Sequence, residues 1–156
     1  LGLISDSGVV VIIPALNEAG SIGKVINAIP EKFRSKVIVV DNGSTDQTAA
    51  VALSSGAIVL KEPVRGYGRA CLTGIHHLLN LPQPPEVIVF LDADFSDYPE
   101  QMSGMIEMIS DDNADLVIGS RSLGNSEQGS LTFPQRFGNR LAVTLIKWMY
   151  GKTFTD

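Results

Sequence analysis

The chain has 156 residues, a formal net charge of −5, 44% hydrophobic and 19% charged residues, and one cysteine. That length suits about one globular domain, and 15 glycines and 8 prolines are too few for a collagen-like or disordered chain. Cys71, being alone, excludes an intrachain disulfide and a cysteine-cluster zinc site, and the longest apolar run, Val9 to Leu16, falls far short of the ~20 residues that span a bilayer.

A cytoplasmic protein is therefore expected. Leu1 is not a start methionine and Asp156 closes the chain without a tail, so a domain truncated at its C-terminus is expected as well. Residues 1–120 hold 7 basic and 15 acidic side chains, and residues 121–156 hold 5 basic and 2 acidic. An acidic core domain is thus followed by a basic segment suited to meeting an anion.

Short β-branched runs recur at Val9–Ile13, Val37–Val40, Ile58–Leu60, Val87–Leu91 and Leu116–Ile118. Each is too short for a helix and too uniformly apolar for a half-exposed strand, so all five read as buried strands. Between the first two, Ile22, Val25, Ile26 and Ile29 make one apolar helix face that Pro30 should end. After the second, Ser44 or Thr45 is placed to cap a helix through Ala50 and Leu53 that Gly56 would close. Residues 69–79 and 99–109 have the same periodicity. Alternation of this kind predicts an α/β domain with a central, mostly parallel sheet flanked by helices. From Gly124 to Pro134 the chain turns polar, and a mobile loop is expected over 122–134. Residues 135–150 then read as an amphipathic basic helix, with Arg136, Arg140 and Lys147 on one face and Phe137, Leu141, Leu145, Trp148 and Met149 on the other.

In a parallel sheet ligands bind beyond the carboxyl ends of the strands. The first strand is followed by Pro14-Ala15-Leu16-Asn17-Glu18, the second by Asp41-Asn42-Gly43-Ser44-Thr45-Asp46 and the fourth by Asp92-Ala93-Asp94. Neighbouring strands thus bring carboxylates to one edge, where their repulsion calls for a cation or for hydrogen-bond donors on a ligand. Asp46 reads as a helix cap or turn former. Asp92 and Asp94, one residue apart after Val-Ile-Val-Phe-Leu, can both turn to one hard cation, Mg²⁺ or Mn²⁺, which favours carboxylates together with substrate phosphates. A diphosphate-bearing substrate follows.

Rival chemistries lack their signatures. The first strand is not followed by G-x-G-x-x-G, Gly66-Tyr67-Gly68 comes after the third, and neither a G-x-x-x-x-G-K-[ST] loop nor a Gly-x-Ser-x-Gly elbow occurs. Cys71 lies in a helical pattern that suits a buried thiol. His76 and His77 are adjacent on that helix and point to different faces, which argues against shared metal ligation.

Five segments in order, Val-Ile-Ile-Pro-Ala-Leu-Asn-Glu (11–18), Val-Ile-Val-Val-Asp-Asn-Gly-Ser-Thr-Asp (37–46), Gly-Tyr-Gly-Arg-Ala (66–70), Phe-Leu-Asp-Ala-Asp (90–94) and Val-Ile-Gly-Ser-Arg (117–121), resemble family 2 glycosyltransferases of the GT-A fold. The branch they look most like holds the dolichyl-phosphate mannose and polyprenyl-phosphate glucose synthases. The resemblance implies a nucleoside-diphosphate sugar donor of the UDP-glucose or GDP-mannose type, a divalent cation, and inversion at the sugar carbon. It places Pro14, Ala15, Asn17, Glu18 and Asp41 around base and ribose, and Gly66 and Ala93 at the donor. Asp94 would bind the metal, and Asp92 the metal, a bound water or the ribose. Arg121, with Arg136 matching more loosely, would approach the donor or acceptor phosphates. Two positions depart from the pattern: Ser96 stands where many relatives have glutamine, and Tyr67 where many have lysine.

Cleaving a sugar–diphosphate bond loads negative charge onto the leaving group, which a metal on Asp94 with Arg121 nearby could neutralise. A polyprenyl-phosphate acceptor needs no protein base, whereas a hydroxyl acceptor does, with Asp156 the candidate. The partners expected are therefore the donor, a polyprenyl phosphate and a peripheral membrane contact, not nucleic acid. The alternatives are a soluble hydroxyl acceptor, a non-catalytic module that binds sugar nucleotides or a partner protein, and a nucleotidyltransferase. The last should carry a glycine-rich basic loop after the first strand, and this chain does not.

Overall fold

The structure, a computed structural model, describes residues 8–111, 114–119, 142–149 and 151. The chain divides into two units, Leu1–Val117 and Ile118–Asp156.

In the first unit, strands β1 (Val9–Ala15), β2 (Val37–Asp41), β3 (Ile58–Lys61) and β4 (Val87–Phe90) form one parallel sheet in the order β3-β2-β1-β4. Helices α1 (Ile22–Ala28), α2 (Glu31–Arg34), α3 (Thr48–Ser54), α4 (Tyr67–Leu79) and α5 (Met102–Ser110) join or follow the strands, with α5 entered through a 3₁₀ turn at Pro99–Gln101.

The unbroken apolar run of β1 makes sense in this order, because successive side chains enter different layers. Val9, Val11 and Ile13 pack in a core shared with Ile22, Val25, Ile26, Phe33, Ala52, Met102 and Ile106 of α1, α2, α3 and α5. Val10 and Ile12 pack with Ile38 and Val40 of β2 and with Ala70 and Leu78 of α4. Helix α4 can lie this close because residue 74 is glycine: a Cβ there would sit 2.9 Å from the Ile12 side chain.

Helices α1 and α4 occupy the predicted stretches. Gly56, at φ +90, follows the Ser55 cap of α3 as expected. Three expectations need correction. Helix α3 begins at Thr48, and its first N–H is met by Asp46 and not by Ser44 or Thr45. Strands β3 and β4 are only partly buried, with Ile58 at 50% and Phe90 at 40% exposure, because they form the edges of the sheet and α4 packs against β1 and β2. Leu116–Ile118 is not a strand, and Leu116 and Ile118 are exposed. A three-residue apolar run becomes a strand only where an edge pairs with it, and no described residue does so.

In the second unit residues 142–149 are helical, within the predicted 135–150. Gly151, at φ +67, closes this helix by donating its N–H to the Lys147 carbonyl at 2.9 Å. Leu145, Trp148 and Met149 are all exposed, Trp148 at 83%. Among the described residues no helix is long and apolar enough to cross a membrane. The expected loop at 122–134, Arg121, Arg136 and Arg140 lie outside the described residues.

Candidate active site

The parallel order brings the loops after β1, β2 and β4 to one edge of the sheet. Asp41 ends β2 directly beside Ala15, its register partner at the end of β1. On the other side of β1, Phe90 pairs with Ile12, the Leu91 N–H donates to the Ile12 carbonyl, and Asp92 follows. Of the sequence-predicted site residues, Pro14, Ala15, Asn17, Glu18, Asp41, Asp92, Ala93 and Asp94 all belong to this edge, as expected.

Their surroundings differ. Pro14 and Ala15 are buried at the end of β1, and Ala93 is buried in the main core. Asp41 is 9% exposed and accepts the Ser44 N–H at 3.1 Å, while its own carbonyl accepts the Glu62 N–H at 2.9 Å. Asn17 turns the β1–α1 loop at φ +58, a left-handed conformation that asparagine tolerates. It is tied across to the β2–α3 loop: its N–H donates to Ser44 Oγ at 3.0 Å, and its Oδ1 accepts the Thr45 N–H at 2.8 Å. Beyond it, the Glu18 N–H donates to Thr48 Oγ1 at 2.7 Å and the Ala19 N–H to Asp46 Oδ2 at 3.1 Å. The Glu18 carboxylate accepts the Ser21 hydroxyl at 2.6 Å, at the start of α1. Asp46 is thus the cap and turn former its sequence suggested, since it also takes both the N–H and the hydroxyl of Thr48. The Thr48 hydroxyl, foremost among these donors, holds the Asp46 carboxyl below the usual carboxylate range.

After β4 two backbone N–H groups are met within the loop itself. The Asp92 N–H donates to Asp97 Oδ2 at 2.9 Å, and the Ser96 N–H to Asp94 Oδ1 at 2.9 Å. Between them Phe95 sits at φ +64, a conformation unusual for a bulky residue. Ser96, where relatives often have glutamine, shapes this turn through its backbone.

Sequence reasoning marked Gly66 and Tyr67 in the β3–α4 connection but missed the two residues that hold it, Asn42 and Glu62. Asn42, 4% exposed, donates from Nδ2 to the Glu62 and Val64 carbonyls at 3.0 and 2.8 Å and accepts the Gly66 N–H at 2.7 Å. Gly66 stands at φ +147, where only glycine is comfortable, and spends its N–H on Asn42. Glu62, 8% exposed, accepts the Thr73 hydroxyl at 2.7 Å and the Val64 N–H at 2.8 Å, with Arg69 Nε at 3.6 Å. These donors, Thr73 first, hold its carboxyl below the usual range. No sequence spacing announces either residue, because their partners are set by the fold.

Tyr67, the first residue of α4, reaches Asp92: its hydroxyl donates to Oδ1 at 3.2 Å. Partial desolvation around its hydroxyl and the adjacent Asp92 charge push its pKa up to about 12, so it stays a donor across the physiological range. Burial likewise raises the pKa of the Cys71 thiol beside it, as suits an inert cysteine.

Among the described residues no group of three or more His, Cys, Asp or Glu side chains could hold a metal by itself. Asp92 and Asp94 offer a partial oxygen set. That suits Mg²⁺ or Mn²⁺, which complete their shells with substrate phosphates and water.

Comparison with known proteins shows the family. The family model described as glycosyl transferase family 2 matches residues 10–155. The chain is 38% identical over 118 residues to an uncharacterized glycosyltransferase of Mycobacterium bovis, covering 76% of this chain and 50% of that one. It is 26% identical over 166 residues to a UDP-N-acetylglucosamine–dolichyl-phosphate N-acetylglucosaminyltransferase of Methanococcus voltae, covering 95% of this chain and 65% of that one. Its fold is similar to glucosyl-3-phosphoglycerate synthase of Mycobacterium tuberculosis in complex with Mn²⁺ and UDP-glucose. There the TM-score is 0.56 at 30% identity, covering 65% of this chain and 39% of that one. The chain therefore spans about two fifths to two thirds of the length of these proteins.

Proposed function

Because the chain belongs to glycosyl transferase family 2 and has its GT-A fold, we propose that it is the donor-binding part of an inverting, metal-dependent hexosyltransferase. Its substrates would be a nucleoside-diphosphate sugar, of the UDP-glucose or GDP-mannose type, and a polyprenyl phosphate. The observation that carries this reading is the pair Asp92 and Asp94 on the same sheet edge as Asp41 and Ala15.

Asp41 would accept an N–H of the base, with Pro14, Ala15, Asn17 and Glu18 around base and ribose and Gly66 and Ala93 alongside the donor. Asp94 and Asp92 would hold Mg²⁺ or Mn²⁺, which when bound neutralises charge developing on the departing diphosphate. The acceptor phosphate oxygen attacks the anomeric carbon from the face opposite the diphosphate. As the new C–O bond forms, the bond to the diphosphate breaks and the nucleoside diphosphate leaves. A phosphate monoester, with a second pKa near about 6, is already anionic and needs no protein base.

Arg121 and Arg136 would meet the phosphates. Leu145, Trp148 and Met149, exposed at i, i+3 and i+4 beside Lys147, would rest the helix on an anionic membrane surface, making the protein peripherally attached on the cytoplasmic side. A relative named for a dolichyl-phosphate acceptor supports this choice.

A soluble acceptor is the second reading, favoured by the structure of glucosyl-3-phosphoglycerate synthase solved with phosphoglyceric acid. The test begins with a thermal-shift screen of UDP-glucose and GDP-mannose with and without Mn²⁺. Transfer to a polyprenyl phosphate in anionic vesicles is then compared with transfer to 3-phosphoglycerate. Metal-dependent stabilisation and lipid glycosylation are expected. Transfer to phosphoglycerate alone would establish the second reading, and no stabilisation by either donor would overturn both.

A further inference from the structure

The β3–α4 connection, whose Gly66 is proposed to lie alongside the donor, ends on Tyr67, a residue that touches Asp92 and has no role in that proposal. Its position is unusually determined. Asn42 clasps it at the Glu62 and Val64 carbonyls and the Gly66 N–H, Glu62 braces it from beneath through Val64 and Thr73, and Gly66 supplies a backbone angle closed to other residues. About two turns along α4, Gly74 seats the helix against Ile12 of β1. The first residue of the helix is therefore fixed from both sides.

That residue, Tyr67, is 61% exposed, so its ring does little for the core. Its hydroxyl meets Oδ1 of Asp92 at 3.2 Å, and Oδ2 accepts no hydrogen bond among the described residues. The Asp92 backbone N–H is meanwhile held by Asp97. One oxygen of Asp92 is thus oriented from outside its own loop.

We propose that Tyr67 is a positioning residue for the cation site: it holds Asp92 by Oδ1 and leaves Oδ2 for the divalent cation of the donor complex. Ligating carboxylates are commonly held by such outer hydrogen bonds, whose loss costs about 10- to 100-fold in metal affinity. The inference rests on the proposed donor site and assigns it a residue that base and ribose do not need. Tyr67 acts on the metal requirement alone.

Isothermal titration calorimetry on the 156-residue chain separates these effects. UDP is titrated into wild type and Tyr67→Phe without metal, and Mn²⁺ is titrated into each in the presence of saturating UDP. The expected result is unchanged metal-free UDP affinity and about tenfold weaker Mn²⁺ affinity in Tyr67→Phe. In an Asp92→Asn background, Tyr67→Phe should cost nothing further. Equal Mn²⁺ affinity in the two proteins, or a parallel loss of metal-free UDP binding, would overturn the assignment. Absence of any Mn²⁺-dependent UDP binding in wild type would instead remove the donor-site reading, and this inference with it. Tyr67→Phe deletes one exposed oxygen, and equal melting temperatures would show that its fold is intact.

Discussion

The two loops that flank the end of β1 solve the same problem in different ways. Both turn through one residue in the left-handed region, Asn17 on the side proposed to hold the base and Phe95 on the side proposed to hold the cation. On the base side the turning residue is also a tie, and the loops after β1 and β2 are stitched together through Asn17, Ser44, Thr45, Thr48 and Asp46. On the proposed metal side the Asp92 and Ser96 N–H groups are met within the segment Asp92–Asp97, and Tyr67 reaches Asp92 from another element. If the site is as proposed, the base side is stitched between the loops of two strands before ligand arrives, whereas Asp92 is held by its own segment and by Tyr67.

The severest way to break this contrast is Asp94→Asn. Transfer should fall at least about a hundredfold, the range for loss of a group that stabilises transition-state charge, while metal-free UDP affinity and the melting curve stay as in wild type. A parallel loss of metal-free binding would mean that the two sides are one unit.

Asp41→Ala tests the other side. A buried hydrogen bond to a charged group is worth about 1.5–3 kcal/mol, so UDP or GDP affinity should drop about 10- to 100-fold with or without Mn²⁺. Calorimetric affinity equal to wild type would take Asp41 out of the base pocket.

Thr48→Val addresses the stitching itself. The hydroxyl is fully buried, and its loss leaves the Glu18 N–H without its acceptor, at a cost of about 1–3 kcal/mol in urea denaturation. The Mn²⁺ requirement should not move, because nothing on the metal side depends on Thr48.

The smallest effect is in acid. Asp46 and Glu62 titrate below their ordinary values in the folded chain. The unfolded chain therefore takes up their protons first as pH falls from about 5, and their stabilisation, complete above the ordinary carboxylate value of about 4, is lost on passing through the lower folded values. Asp46→Asn should flatten the fall in melting temperature between about pH 5 and 3 relative to wild type.

Much of this edge could be read from the chain itself. A run as apolar as Val9–Ile13 can only be a strand covered on both faces, and carboxylates directly after such runs must emerge at the carboxyl end of a parallel sheet. Edge positions were another matter. Ile58 and Phe90 look as buried as Val11 in sequence, and only the strand order exposes them. The stitching was illegible for the same reason. Asn17 and Thr45 are 28 residues apart, and Asn42 and Glu62 meet only because β2 and β3 are neighbours. Tyr67 stood out in the sequence, yet its partner Asp92 lies 25 residues away in the loop after β4.

Phe95 has a consequence for how such a protein could be improved. A bulky residue at φ +64 stores about 1–3 kcal/mol of strain, so a library screened for heat resistance should drift to glycine or asparagine at that position. The same library screened for sugar transfer should return phenylalanine if the strained turn is what presents Asp94. Two selections pulling one codon in opposite directions would mark this turn as the place where the enzyme trades durability for turnover.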